Sequence, residues 1–365
     1  MNEQEKYDWM VYVSCMTFNH SPYIVDAMNG FTMQVTNFPF VCAIVDDAST
    51  DGEQEVIKKY LNEHFDLEDK SIARHEETDD YVLSFARHKT NLNCHFAVFY
   101  LKYNHYSIKK SKLPYLVQWR DKAKYIAVCE GDDYWTHPGK LQMQVDFLES
   151  HLDYTMTCNR TQLYSVKRSK MIGENYCYDK SQDIDPKDVI NRGGLFISTC
   201  SIMYRKEIIQ IVPDYWKNCL VGDYPLQIAC ALRGKIYYFN EIMSVYRVAN
   251  PNSWMGKQQW GKYDAGRLKV IKSQVEMFLG FAKDYPEYES VFLSKVACHI
   301  NRGIPSWCES QKSKKTYISF FEEYISLYPL KWKIDLFIQQ LRIPKIRGFY
   351  LKALQKKYSQ KKVIY

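Results

Sequence analysis

The sequence predicts an α/β protein built on a mostly parallel sheet. Two nearly continuous apolar runs, "VYVSCM" (11–16) and "FVCAIVDD" (40–47), are each followed by a segment of helical character. A strand with no polar alternation is covered on both faces, and strand, helix, strand, helix opens a doubly wound sheet. A further apolar strand at 124–129 runs into "CEGDDYW", so that acids gather at the ends of two strands.

The elements follow in order. Run 11–16 is rich in β-branched positions, as strands are. After the loop "TFNHSP", Ser21 and Pro22 are read as N-cap and first residue of a helix from Tyr23 to about Thr36. "DASTDG" is a turn, and "EQEVIKKYLNEHF" places Val56, Ile57, Tyr60 and Leu61 at helical spacing. Residues 66–123 are polar apart from "FAVFYLKY" and are read as an extended excursion plus a helix before the strand at 124–129. "HPGKLQMQVDFLES" starts a helix near Pro138, with Leu141, Val145 and Leu148 on one face. Residues 152–205 alternate loops with strand-like runs such as "YTMTCN" and "LFISTCSIMY". "PLQIACALRG", 225–234, is a helix ended by Gly234. "KIYYFNEIMSVYRV" reads as two short strands turning at Asn240 and Glu241, and from Trp260 the chain is helical.

The 365 residues are 46% hydrophobic and 25% charged, a globular composition. The 11 cysteines form no C-x-x-C pair, which argues against a zinc ribbon and for reduced thiols in a cytoplasmic protein. The polar N-terminus is unlike a signal peptide, and no apolar run approaches the ~18–20 residues of a membrane span. Residues 331–365 carry ten Lys or Arg against Asp335, which leaves the rest of the +7 chain near neutral. That distribution does not suit a nucleic-acid enzyme, whose body would carry the positive charge.

Three acidic sites end apolar segments: Asp46 and Asp47, then Glu130, Asp132 and Asp133, then Asp223 just before the helix at 225–234. Loops at the carboxyl ends of parallel strands converge on one crevice, so the three can share a pocket. Mg²⁺ or Mn²⁺ bridges a diphosphate to one or two carboxylates. A strand-end Asp can accept from a ribose or a base, and a carboxylate away from the metal can act as general base. Taken singly, each site is as well explained by a turn or a helix cap; the joint order is what points to a nucleotide-diphosphate substrate. Asp132 and Asp133 are expected in an exposed turn.

That order resembles the family 2 glycosyltransferases over roughly residues 10–255, through "VSCMTFNH", "VDDASTDG", "EGDDYWTHPGKLQMQVDFLE" and "VGDYPLQIACALRGKIYYFNEIMSVYRV". It looks closest to bacterial members that assemble capsule or lipopolysaccharide glycans. The resemblance implies the GT-A fold and inverting transfer from a nucleotide-sugar, most simply a UDP-sugar, to an acceptor hydroxyl. It implies that Met16, Thr17 and Phe18 line the base, with Asn19 shaping that loop. Asp47 would contact the base and Asp46 support the ribose or the turn. Asp132 and Asp133 would reach the metal and the ribose, and Asp223 would be the base. Lys110 and Lys112 are candidates for phosphate contacts. Met16 stands where a proline is common, Glu130 replaces the first Asp of the metal motif, and Gly222 replaces an acid. Ala249 and Asn250 stand where many members have a histidine.

The expected organisation is a catalytic domain over 1–259, a helical extension over 260–330 and a basic amphipathic tail over 331–365. Within the first, about 10–135 takes the nucleotide-sugar and about 136–259 the acceptor. The acceptor is expected to be a glycan or lipid-linked, with the tail touching the anionic inner face of the plasma membrane. Two other readings are a sugar-phosphate nucleotidyltransferase and a non-catalytic sugar-binding protein of the same fold. The first would carry a glycine-rich loop after strand one, which "TFNHSP" lacks. The second would have no need of Asp132, Asp133 and Asp223 together.

Overall fold

The computed structural model describes residues 7–248, 250, 265–302 and 323–324. It divides into two compact units, one of Met1–Val212 with Asp223–Lys257 and the other of Pro213–Gly222 with Gln258–Tyr365. In chain order the first unit begins β1 (Trp9–Thr17), α1 (Ile24–Thr32), β2 (Phe40–Asp46), α2 (Glu53–His64), β3 (Phe65–Asp66), β4 (Arg74–Glu77), β5 (Tyr81–His88) and β6 (Cys94–Leu101). It continues α3 (Leu113–Arg120), β7 (Ala123–Val128), β8 (Tyr134–Trp135), α4 (Lys140–Ser150), β9 (Tyr154–Ser165), β10 (Lys170–Asn175), β11 (Gln182–Asp183), α5 (Pro186–Arg192) and β12 (Met203–Arg205). After α6 (Asp214–Lys217), which belongs to the second unit, come α7 (Asp223–Arg233) and β13 (Lys235–Val248).

One mixed sheet runs β11-β13-β9-β12-β7-β1-β2-β6-β5-β3. Strands β7, β1, β2 and β6 are parallel to one another. All seven residues of β2 are buried, as its unbroken apolar sequence requires. The core joins Val11, Val13 and Cys15 of β1 to Met28 and Phe31 of α1, Ile57 and Leu61 of α2, and Leu141, Val145 and Leu148 of α4. At the α1–β8 contact a Cβ on Gly30 would lie 2.8 Å from the Trp135 backbone nitrogen, so only glycine lets the helix come so close. Trp135 is itself 1% exposed and meets Phe31 edge-on at 4.9 Å.

Several elements differ from expectation. The first helix is shorter, Ile24–Thr32, and its N-cap position, Tyr23, makes no side-chain capping bond. Ser21 instead donates its backbone N–H to Asp51. The 66–123 excursion contains an antiparallel extension of the sheet: β6 continues the parallel core beside β2, and β5 turns back along it. Of "LFISTCSIMY" only Met203 and Tyr204 are strand, which ends at Arg205, the preceding Thr199–Ser201 being a 3-10 turn. "KIYYFNEIMSVYRV" is a single strand, bulged between Phe239 and Ile242 where two strands were expected to turn. The bulge lets one strand change register on β9 without leaving the sheet.

In the second unit α6 packs on α8 (Ala265–Asp284), with Tyr215 edge-on to Phe281 at 5.0 Å and its hydroxyl donating to Asp284. Phe281 in turn stacks on Phe292 of α9 (Glu289–Arg302) at 5.8 Å. Both helices fall where helix was expected. The 331–365 tail lies outside the described residues. Among the described residues no helix is long and apolar enough to cross a membrane.

Candidate active site

Because β1, β2 and β7 are parallel, their carboxyl ends lie side by side, with Thr17 opposite Asp46 and Ser14 opposite Val128. The ladder continues past the strands. Asp47 donates its N–H to the Thr17 carbonyl (3.0 Å), Cys129 to Ser14 (3.1 Å) and Gly131 to Met16 (3.0 Å). A Cβ on Gly131 would run into the Thr17 side chain. Glycine is therefore what lets the acid turn lie against the end of β1.

The loop after β1 is held open by a second loop. Asn19 has φ +58°, a left-handed conformation that asparagine tolerates better than most residues. Its N–H donates to Ser49 Oγ, and its Oδ1 accepts from Thr50 N at 2.8 Å. Beneath it Glu53, fully buried, accepts from Thr17 Oγ1, His20 N and Ser49 Oγ. Burial overrides these bonds and pushes its carboxyl up to about 7. Met16 and Phe18 are half-buried at the same strand end.

Asp46 and Asp47 face different partners. Asp46 Oδ1 accepts from Ser49 N and Gln54 Nε2, fixing the turn, while its buried Oδ2 has no hydrogen-bond partner among the described residues. Burial raises its pKa. Asp47 holds the 104–112 loop: it accepts from His105 N at 2.7 Å and Tyr106 N at 3.1 Å, and pairs with Lys112 Nζ at 3.0 Å. Lys110 turns elsewhere, to Asp80 at 2.6 Å. Of the two lysines, only Lys112 is brought to the strand-end acids.

The acid turn is not an exposed one: Asp132 is 5% and Asp133 1% exposed. Arg247 of β13 clasps it. Its N–H donates to Asp133 Oδ1 (2.8 Å), its Nη1 to the Asp132 carbonyl (2.7 Å) and its Nη2 to Asp26. The guanidinium lies over Tyr134 and Tyr23 at 4.6 and 4.8 Å. Asn250 donates to Asp132 Oδ2 at 2.9 Å, and His20 Nε2 stands 3.7 Å from the same oxygen. Asn250 thus reaches the acid turn from near the position where a ligating histidine was looked for. Burial, then the charge of Asp132, puts the Asp133 pKa well above the carboxylate range. Glu130 is exposed, yet enough protein surrounds its carboxyl that desolvation, then Asp132 and Asp223, push it up to about 8.

Asp223 is the first residue of α7 rather than a residue before it. Its Oδ1 accepts from the Tyr224 N–H at 2.8 Å and its Oδ2 from Thr199 Oγ1 at 3.0 Å. Burial outweighs these donors and raises the pKa. A raised value makes the carboxylate a stronger base. A Cβ on Gly194 would lie 3.8 Å from Asp223 Oδ1, so this glycine leaves room beside the carboxylate.

The structure therefore gathers the ends of β1, β2 and β7 around the 17–20 and 130–133 loops, with Asp223 close enough to Glu130 to shift it. It adds four residues not singled out from sequence, His20, Glu53, Thr199 and Arg247, and a contact made by Asn250. Only Arg247 had a local signal, the "YR" closing the last motif.

No family model matches the chain. Uncharacterized proteins of Mycobacterium tuberculosis and Mycobacterium bovis are each 29% identical over 273 residues, which is 73% of this chain and 68% of theirs. Among solved structures the chain is similar to S. aureus TarS 1-349 in complex with UDP-GlcNAc, at TM-score 0.57 and 13% identity, covering 97% of this chain and 93% of that one. The same TarS segment in complex with UDP aligns at TM-score 0.54 and 14% identity over the same shares. The likeness is one of fold, and the fold is GT-A.

Proposed function

We propose that the protein is a glycosyltransferase that moves a sugar from a UDP-sugar to an acceptor hydroxyl. The observation that most supports this reading is the meeting of an aspartate pair, a strand-end loop and Asp223 on the carboxyl side of one parallel sheet. The TarS complexes with UDP and UDP-GlcNAc share that fold.

The donor set suits a hard divalent cation. Two adjacent buried carboxylates, the pKa of Asp133 raised first by burial and then by the charge of Asp132, are relieved by a positive charge between or beside them. Among the described residues no group of three or more His, Cys, Asp or Glu forms a complete cage. Mg²⁺ or Mn²⁺ needs none, since one or two carboxylates and the substrate's phosphates suffice. Asp133 has one oxygen taken by the Arg247 N–H and Asp132 one taken by Asn250, so each keeps an oxygen to offer the cation. Bound there, the cation would act as a Lewis acid on the leaving diphosphate.

The chain's own groups do the rest. The 16–19 loop, braced by Glu53 and Ser49, lines the uracil side, and Lys112 offers positive charge at the end of β2. Asp223 takes the acceptor's hydroxyl proton. Each of its oxygens keeps a second lone pair beyond the bonds to Thr199 and Tyr224. The freed oxygen attacks the anomeric carbon from the face opposite the diphosphate, and configuration inverts. The acceptor belongs to a surface glycan, lipid-linked and presented at the inner membrane face.

The test is a panel of UDP- and GDP-sugars with Mn²⁺, read by donor hydrolysis and transfer, beside UDP titrations of wild type and Asp132→Asn. Turnover of at least one UDP-sugar is expected, with UDP affinity that depends on Mn²⁺ and collapses in the variant. No turnover and no UDP binding would sink the proposal.

A further inference from the structure

The most unusual side chain of the first unit takes no direct part in this site. Lys140 is fully buried. Its ammonium donates to Gln144 Oε1 at 2.6 Å and lies 4.5 Å from the centre of the Trp135 ring. No carboxylate pairs with it among the described residues, and burial pulls its pKa down to about 8. A buried ammonium held by one amide and one indole is costly. Leucine or methionine at the same place would cost less.

What the lysine organises lies next door. Gln144 Nε2 donates to the Ser201 carbonyl at 3.0 Å, and Trp135 Nε1 to the Cys200 carbonyl at 2.8 Å. Both acceptors belong to the 3-10 turn Thr199–Ser201, whose Ser201 hydroxyl also closes onto the Ser198 carbonyl at 2.7 Å. Thr199, the first residue of that turn, holds Asp223 Oδ2. Trp135 stands two residues after Asp133. One buried polar chain therefore runs from the acid turn through Lys140 and Gln144 to the turn that aims Asp223.

We propose that Lys140 and Thr199 are positioning residues: Lys140, through Trp135 and Gln144, fixes the Thr199–Ser201 turn so that Thr199 aims the Asp223 carboxylate. The inference rests on the assignment of Asp223 as the base. It explains why an ammonium is kept where an apolar residue would be more stable: the charge polarises Gln144 and seats the indole, so both can grip the turn. Removing the charge relaxes the turn without loosening the core.

The experiment is a double-mutant cycle of Lys140→Met and Thr199→Val in the full chain, with Thr199→Ser as the conservative partner. Each of the first two should lower transfer turnover ~10-fold or more, the scale of a slightly misaimed group, with UDP affinity unchanged. Thr199→Ser should retain near wild-type turnover. Lys140→Met should melt at or above wild type, because replacing a buried charge by an apolar side chain is neutral or stabilising. The double variant should be no slower than Thr199→Val alone, since the two act in series. Full turnover in Lys140→Met, or losses that multiply in the double variant, would overturn the proposal. If wild type transfers no sugar, the proposed function fails, and the positioning claim is then read from hydrogen exchange. Faster exchange across 198–202 and 223–224 in Lys140→Met supports it; unchanged exchange overturns it.

Discussion

Asp223 is pulled two ways, by two donors that favour its anion and by burial that opposes it, and burial prevails. A base of raised pKa works only above that pKa, so the acid limb of the pH–rate profile should lie above the range of an ordinary aspartate. Asp223→Asn tests the role directly. Asparagine can still accept from Tyr224 N and meet Thr199, so melting temperature and UDP binding should hold while turnover falls ~10²–10⁴-fold. Near wild-type single-turnover transfer would remove the assignment. Glu53 gives a second prediction at this scale. Its pKa is raised in the folded protein, from 4.5 to about 7. Its contribution to stability is therefore full below pH ~4.5 and lost as pH rises through ~7. A rise from 4.5 to about 7 corresponds to about 3 kcal/mol. Glu53→Gln keeps the bonds to Thr17 and His20 available without the charge. The variant should gain on wild type in melting temperature between pH 4.5 and 7.5. A constant difference across that window would show that Glu53 does not titrate there.

At the scale of elements, the acid turn depends on a backbone approach. Gly131 lies so close to Thr17 that any Cβ must push the turn off β1. Gly131→Ala should cost ~1–3 kcal/mol, the range for overpacking, and should weaken UDP binding along with stability. A variant that melts like wild type would show that the approach is slack. The central strands and most of the helices were legible because burial on both faces and helical spacing leave a local apolar pattern, as in Phe40–Asp46 and Glu53–His64. β6 shows in the sequence as the apolar run "FAVFYLKY", but nothing local says that it pairs with β2, and β5 was hidden because its residues alternate between buried and half-buried and its partners on both sides are supplied by the fold. β13 was split in reading because "FNE" looks like a turn where the strand only bulges. The acids themselves were legible from motif order. The contacts of their keepers were not, even for Arg247 with its "YR" signal: Glu53 meets His20 across 33 residues, and Arg247 meets Asp133 across 114. Contacts of that span leave no trace in local spacing.

For the whole molecule, charge separates the body from the end of the chain, where ten Lys or Arg of 331–365 mix with Leu, Ile, Phe, Trp and Tyr. Each such cation near an anionic surface contributes ~1 kcal/mol. Full-length protein should pellet with anionic liposomes, and a 1–330 truncation should stay in solution. Equal behaviour of the two would sever the tail from membrane binding. The clasp of Arg247 on the acid turn bears on the order in which the protein is made. The ribosome releases Asp132 and Asp133 long before Arg247, because the arginine belongs to the last strand of the sheet. Until that strand emerges, the turn that bears the two crowded carboxylates is tied to β1 by the backbone bonds of Cys129 and Gly131 but lacks its clasp. Donor recognition would then begin in one late step, when the final strand docks, and an interrupted translation product would carry much of the sheet without being able to sequester nucleotide-sugar.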